Sequence, residues 1–201
     1  MAYDALMPIQ LQSVMHFDQI GLRSEPLRDA LSSLGYGMFA RVTGEQPLLE
    51  AFLNFQPNIL ILDVESPGEQ ELSDVNQIVT RDAVPVIVFA RDDSPRLIQE
   101  ATKAGASAYV SNDFEINRVR AILDAAIARF QEFQLIRAEL HTAKQALSER
   151  KLVERAKGVL MKRKDFDEPT AYRAMQKMAM NRNVKLVDLS RHIIAAAEVL
   201  D

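Results

Sequence analysis

Apolar and polar residues are arranged along the first 120 residues in a way that indicates alternating strands and helices. Continuous apolar runs at 58–62 and 84–89 are typical of parallel strands buried on both faces. Between such runs, apolar residues recur every three or four positions, which is the spacing of one helix face. The predicted strands are 13–17, 37–42, 58–62, 84–89 and 108–110, and the predicted helices are 24–34, 48–55, 72–80 and 95–104, the last closed by Gly105. This order predicts a five-stranded, doubly wound parallel sheet of the α/β class.

A long helix is predicted to follow from about residue 115. Neither Pro nor Gly occurs between Asp124 and Gly158. Apolar residues at alternating steps of three and four follow the heptad pattern of a coiled coil. They are Phe133, Ile136, Leu140, Ala143 and Leu147. We therefore expect residues 121–148 to form a coiled-coil connector helix that pairs with a second copy of the chain. The alternative is a single amphipathic helix that folds against the preceding domain.

The last part of the sequence contains three amphipathic blocks, at 147–164, 168–180 and 185–200. Asp167 is predicted to be the N-cap of the second block, with Pro169 in its first turn. Gly158 lies inside the first block, where glycine costs about 1 kcal/mol relative to alanine. It indicates either a close approach by another helix or a nucleic acid, or a tolerated weak point. Short helices joined by short turns predict an all-α three-helix bundle over residues 149–201.

Charge is distributed unevenly along the 201 residues. Residues 1–148 hold 12 Lys and Arg against 20 Asp and Glu, whereas residues 149–201 hold 12 against 8. A basic segment in a chain of net charge −4 suggests that this segment alone meets a polyanion. The alternative is an ordinary solvated helix face.

Composition narrows the class of protein further. Apolar residues make up 48% of the chain, which is enough for a folded core, and there is no Cys. Disulfides and thiolate metal sites are thereby excluded, as is usual in a reducing cytoplasm. The first residues lack the basic and apolar regions of a secretory signal, and no apolar run is long enough to cross a bilayer. We expect a soluble, cytoplasmic protein with no membrane partner.

The basic segment resembles the ANTAR family at positions spread over nearly its whole length. The matching positions, in the family's order and spacing, are Arg150, Glu154, Ala156, Lys157, Gly158, Leu160, Met161, Ala171, Tyr172, Ala179, Asn183 and Leu186. The resemblance implies an RNA-binding domain of bacterial transcription antiterminators, which bind leader RNA with paired stem-loops and prevent the terminator from forming. A helix-turn-helix reader of duplex DNA is the rival, because it is also a three-helix unit.

RNA readers of this kind bind exposed loop bases by stacking and hydrogen bonding, and they contact phosphates with Lys and Arg. The candidate RNA contacts are Arg150, Arg155, Lys157, Lys162, Lys164, Lys177, Arg182 and Lys185. Tyr172 is expected to pack in the core, with stacking on a base as the alternative.

Residues from about 11 to 130 resemble the receiver domain of response regulators. That family places an acidic pair after the first strand and an acceptor Asp after the third, which hold Mg²⁺ and accept a phosphoryl group. A hydroxyl residue after the fourth strand and a Lys after the fifth contact the phosphate. In this sequence Asp63 stands at the acceptor position and Asp18 supplies one carboxylate, but Phe17 fills the other acidic position.

The other receiver positions depart further from the pattern. Ala90 replaces the hydroxyl residue, and Ser111, Asn112 and Asp113 stand where the Lys is expected. These losses weaken Mg²⁺ binding and remove the charge that contacts phosphate. We therefore interpret residues 1–120 as a pseudo-receiver without metal, cofactor or catalytic residue, in which Asp63 is not phosphorylated. The alternative is a phosphorylation-controlled response regulator that binds duplex DNA.

An enzyme is not predicted. His16, His141 and His192 are scattered without the spacing of a nucleophile and its base, and there is no glycine-rich phosphate loop. We expect these histidines to be surface or core residues.

The combination of a degenerate receiver, a connector helix and an ANTAR domain is similar to antiterminators of the NasT and AmiR type. The stretches LILDVESP, GASAYV, AIARF, LSERK and AKGVLMK are most similar to the nitrate and nitrite assimilation group. The resemblance implies that a nitrate-sensing partner protein (NasS-like) sequesters the antiterminator until nitrate or nitrite binds the partner. It also fits a homodimer as the active form.

Overall fold

The computed structural model describes residues 13–21, 23–36, 38–43, 46–111 and 116–198. The predictions made for Gly37, Asn112, Asp113 and Leu200 lie outside the described residues. The chain divides into two compact units, Met1–Gln134 and Leu135–Asp201. The boundaries predicted at residues 120 and 148 stay predictions.

The first unit is built on a five-stranded parallel sheet. Its strands are β1 (Ser13–Asp18), β2 (Met38–Thr43), β3 (Ile59–Val64), β4 (Val86–Ala90) and β5 (Ala108–Ser111), and they lie in the order β2-β1-β3-β4-β5. This is the strand order of the flavodoxin-like doubly wound folds, to which receiver domains belong. The predicted α/β class and five-stranded parallel sheet are therefore confirmed.

Helices cover both faces of this sheet. They are α1 (Ser24–Ser33), α2 (Leu48–Phe55), α3 (Glu69–Arg81), α4 (Pro95–Ala104) and the first turns of α5 (Val119–Lys164). Successive strand residues point to opposite faces. Met15 and Phe17 of β1 accordingly pack in a core with residues of α2, α3 and α4. Val14 packs in a second core with α1 and with the start of α5.

Helix α5 is 46 residues long and has no break at the predicted end of the connector. The connector and the first C-terminal block therefore form one helix. The physical reason is that no Pro interrupts this segment, and Gly158 alone costs too little to end a helix. A Cβ atom added at Gly158 would meet nothing within 4 Å, so a close approach by another helix is not what explains this glycine.

The second unit contains the C-terminal part of α5 with α6 (Glu168–Arg182) and α7 (Leu186–Glu198). Its core is formed by Ala156 of α5, Met175 and Ala179 of α6, and Leu189 and Ile194 of α7. The three predicted blocks thus pack together as an all-α unit.

Capping residues set the ends of α6 as the sequence predicts. The Asp167 side chain accepts a hydrogen bond from the Thr170 amide at 3.0 Å, which confirms the N-cap. Asn183 ends the helix in the left-handed conformation.

No helix in the part of the chain that the structure describes is long and apolar enough to cross a membrane.

We expect Gly105→Ala to destabilise the first unit by about 1–3 kcal/mol. Gly105 ends α4 with φ +107°, and an added Cβ atom would lie 2.9 Å from a γ-carbon of the buried Val79. Both the backbone conformation and the space therefore exclude a side chain. Urea unfolding followed by circular dichroism measures the decrease in stability.

Gly158→Ala is the matched control for this substitution. It adds the same methyl group inside a helix and in open space, so it should stabilise its own unit by about 0.5–1 kcal/mol. Equal stability of the Gly105→Ala variant and the natural chain would show that the left-handed turn is not constrained.

Candidate functional sites: the acidic cluster and the basic helices

Three titratable side chains converge at the carboxyl end of the parallel sheet. Asp18 is the last residue of β1, and it lies in register with Asp63 of β3. His16 lies two residues before Asp18 and therefore points to the same face of the sheet. All three side chains are buried. This edge of a doubly wound sheet is where such folds bind their ligands.

Both oxygens of the Asp63 carboxylate have protein partners. Oδ1 accepts a hydrogen bond from Nη1 of Arg23 at 2.6 Å, and the Arg23 side chain is only 13% exposed. Oδ2 lies 3.3 Å from Nε2 of His16. The guanidinium of Arg23 thus balances the buried charge at the acceptor position.

Asp18 has an equally complete set of partners. Its Oδ1 accepts from the backbone amides of Ile20 at 3.0 Å and Gly21 at 2.6 Å. Its Oδ2 accepts from the Ser24 hydroxyl and from Nε of Arg41 at 3.0 Å.

These partners determine the ionisation of Asp18. Burial acts to raise the pKa of this carboxyl, but the hydrogen bonds from Ser24 and the Gly21 amide, with the charges of His16 and Arg41, hold the pKa below its ordinary value. Asp18 is therefore a stably ionised group whose charge is used within the fold.

The residues of this cluster do not fit the Mg²⁺ ion of receiver domains. Magnesium requires several oxygen ligands in octahedral geometry, whereas the oxygens of Asp18 and Asp63 already accept from two arginines, a hydroxyl and backbone amides. His16, Asp18 and Asp63 each offer a ligand atom within 4.8 Å of the others. A metal ion would have to displace Arg23 and Arg41 to reach them.

Two further receiver positions support the same conclusion. Phe17, at the second acidic position, packs in the core under the sheet. Ala90, at the hydroxyl position, is fully buried.

The residues that surround the acceptor position were not found by sequence reasoning. Arg23, Ser24 and Arg41 carry no motif. His16 is buried, in agreement with one of its two predicted environments, but it also lies against Asp63. The sequence could have indicated that His16 lies near the acceptor position, because side chains alternate between the two faces of a strand and His16 and Asp18 therefore share one face of β1.

The second site is the basic surface of the three-helix unit. Of the eight predicted RNA contacts, six are exposed and have no ion pair that the structure records among its described residues. They are Arg150, Lys162, Lys164, Lys177, Arg182 and Lys185. Arg155 is also exposed, and it forms an ion pair with Glu198 at 2.7 Å.

Lys157 differs from the other seven predicted contacts. It is 8% exposed, and its Nζ atom lies 2.5 Å from Glu154 and 2.7 Å from Glu168. The hydrogen bonds to Glu154 and Glu168 raise the pKa of Lys157 above its ordinary value. The charge of Lys157 thus links α5 to α6 in the structure, and its contact with RNA stays a prediction.

Tyr172 is 39% exposed, so the expectation that it packs in the core is wrong. Its side chain lines an open groove of about 550 Å³, together with Arg150, Pro169 and Leu186. Lys157 and its two glutamate partners line the same groove. We call this feature the Tyr172 groove.

Comparison with known proteins identifies the second unit. Residues 141–194 match the ANTAR domain. The transcriptional regulatory protein PdtaR of Mycobacterium tuberculosis is 29% identical over 160 residues, which cover 80% of this chain and 78% of the relative. A nitrate regulatory protein of Klebsiella oxytoca is 41% identical over 63 residues, which cover 31% of this chain and 16% of that protein.

A solved structure supports the fold of the first unit. A putative pilus assembly-related protein from Burkholderia pseudomallei superposes with a TM-score of 0.53 at 16% identity, and the match covers 62% of this chain and 95% of that one. At this identity the likeness concerns the fold alone.

Proposed function

We propose that the chain is an ANTAR-domain transcription antiterminator that binds stem-loop leader RNA, because its residues 141–194 match the ANTAR domain and it is similar to PdtaR over 160 residues. The observation that carries the proposal is the set of exposed cations on the three-helix unit that matches ANTAR. Lys162 and Lys164 lie at the end of α5, Lys177 and Arg182 on α6, and Lys185 directly before α7. Such cations supply the phosphate contacts that dominate affinity for nucleic acids.

We place the regulated genes in nitrate or nitrite assimilation. The support is the match to the nitrate regulatory protein of Klebsiella oxytoca, 41% identical over 63 residues, together with the stretches that resemble the nitrate antiterminators. The corresponding partner would be a nitrate-sensing protein (NasS-like) that sequesters the chain in the cytoplasm. The chain acts in this proposal as a regulator and not as an enzyme.

Control by sequestration agrees with the state of the acceptor position. Phosphorylation of Asp63 would require the carboxylate to leave Arg23 and His16, and it would require Mg²⁺ where two arginines lie. We therefore propose that residues 1–120 form a pseudo-receiver that docks other proteins. Residues 121–148 form the connector helix between this domain and the RNA-binding domain, residues 149–201.

Dimerisation is proposed through the connector part of α5. Phe133, Ile136, Leu140 and Leu147 are each more than half exposed, although they are apolar and follow a heptad pattern. An exposed apolar stripe of this length on a helix is most simply covered by a second helix of the same kind. A dimer would present two RNA-binding units to the two loops of one leader and so raise their effective concentration.

Charged residues beside the stripe favour a parallel pair. With Phe133 and Leu140 at heptad position a, Glu132 and Glu139 occupy position g, and Arg137 and Lys144 occupy the following position e. In a parallel pair, position g faces position e of the partner, so each glutamate meets a cation. In an antiparallel pair, like charges would meet. The sequence of charges therefore favours the parallel arrangement.

RNA binding is tested by gel shift with a two-stem-loop leader RNA and with a duplex DNA of matched length. We expect the RNA to bind with an affinity that falls steeply as salt rises. Replacing both Lys162 and Lys164 by Gln should weaken binding at about 0.1 M salt and lower the salt slope by about 1–2, because each removed cation neutralises one phosphate fewer. The control is Lys103→Gln, an exposed lysine of the first unit.

Equal binding of the natural chain to unrelated duplex DNA would reject the antiterminator and support the rival, a duplex-binding response regulator.

Dimer orientation is tested by disulfide cross-linking, because the natural chain contains no Cys. We expect Leu147→Cys to form a covalent dimer under mild oxidation, since identical positions face each other in a parallel pair. In an antiparallel pair centred on Leu140, the two introduced thiols would lie roughly 20 Å apart. The control is His141→Cys, at an exposed position off the stripe. Cross-linking only in a mixture of Phe133→Cys and Leu147→Cys chains would show the antiparallel arrangement.

A further inference from the structure

The Tyr172 groove is chemically unlike the basic surface around it. Two of its lining residues are cations, Arg150 and Lys157, and two are anions, Glu154 and Glu168. The formal charges of these four groups cancel. Both glutamates are more than half exposed, at 55% and 66%. A phosphate placed beside Glu154 and Glu168 would meet two carboxylates, so that part of the groove is not built for the RNA backbone.

The remaining residues that line the groove are apolar or aromatic. Tyr172 is 39% exposed as a residue, and it lines the groove together with Pro169 and Leu186. Tyr172 does not belong to the hydrophobic core of its unit. An exposed aromatic ring among apolar neighbours is the usual platform on which proteins stack an unpaired nucleobase.

The two carboxylates are held in place from within the protein. Lys157 is buried and lies within 2.7 Å of an oxygen of each glutamate. It therefore fixes Glu154 on α5 and Glu168 at the start of α6 at one side of the groove. Carboxylate oxygens accept hydrogen bonds from the N–H groups on base edges, as they do from cytosine in duplex DNA. The groove thus offers a stacking face and acceptors for N–H donors, which is the complement of a nucleobase.

We propose that the Tyr172 groove binds one unpaired base of the RNA loop, stacked on Tyr172, with an N–H group of the base donating to Glu154 or Glu168. Arg150 contacts the phosphate next to that base. Lys157 acts as a positioning residue, which explains why its charge is neutralised inside the protein. This inference rests on the proposed RNA-binding function. In it, the Tyr172 groove recognises a loop base, whereas the exposed lysines bind the RNA backbone.

The test is a double-mutant cycle between Tyr172 and the loop. Affinity for a fluorescently labelled leader RNA is measured by anisotropy at fixed salt, with each loop nucleotide replaced in turn by an abasic one. We expect Tyr172→Leu to weaken binding of the intact RNA about 5- to 150-fold, the range of one base–aromatic stack, without changing the salt slope. One abasic position should weaken binding by the natural chain to a similar extent and leave binding by the Tyr172→Leu variant unaffected.

Three controls make the result decisive. Tyr172→Phe keeps the ring and should bind nearly as well as the natural chain. Met180→Ala removes an apolar side chain that is 81% exposed on the same helix, and it should have no effect. Thermal unfolding by circular dichroism confirms that the variants fold, and Tyr172→Met repeats the cycle should the leucine variant not fold.

The outcomes separate the two proposals. A natural chain that does not bind the leader RNA overturns the antiterminator function itself. A natural chain that binds, with no loop position coupled to Tyr172, keeps the function and overturns the base-binding groove.

Discussion

The structure at the carboxyl edge of the sheet depends on neutralising two buried carboxylates, Asp18 and Asp63. A carboxylate withdrawn from water is costly unless it is paired and hydrogen-bonded, and Asp18 and Asp63 are both buried here. The chain meets this demand from its own side chains, with Arg23 and His16 at Asp63 and Arg41 at Asp18. Removing one partner of such a buried pair typically costs about 3–5 kcal/mol. The charges that a receiver would use for Mg²⁺ and phosphate are therefore part of the fold, which supports our proposal that the signal for regulation comes from elsewhere.

The same principle shapes the three-helix unit. Lys157 lies in the family's motif, yet it is buried between Glu154 and Glu168 and joins two helices. Because the charge of Lys157 is neutralised within the unit, the surface contains two different regions: one of exposed cations, and one in which positive and negative charges cancel. We propose that the exposed cations outside the groove attract the RNA backbone, whereas the charged groups that line the groove beside Tyr172 cancel. A surface with both kinds of region can combine strong backbone binding with selection of a base.

The spacing of apolar residues and the residues that begin or end helices were sufficient to predict most of the fold. The apolar runs indicate the five strands, Gly105 and Asp167 set helix ends as predicted, and the three terminal blocks pack together. Side-chain partners could not be predicted, because they join residues far apart in the chain. Arg23 and Asp63 are separated by 40 positions, and Lys157 and Glu168 come together only through packing. From the sequence alone, the ion-pair partners of a lysine in a basic segment are unknown, so every such lysine is a candidate phosphate contact. The neighbours of Tyr172 are unknown for the same reason, and the sequence therefore favoured the core for a residue that is exposed.

Our central proposal is that this chain binds its leader RNA without any need for phosphorylation of Asp63. The most direct measurement is the affinity of the full chain for its leader RNA before and after treatment with acetyl phosphate and Mg²⁺, with phosphate on the protein quantified in parallel. We predict an unchanged Kd and no phosphate on Asp63. A phosphorylated Asp63 that shifts the RNA affinity, with both effects abolished in Asp63→Asn, would contradict this claim.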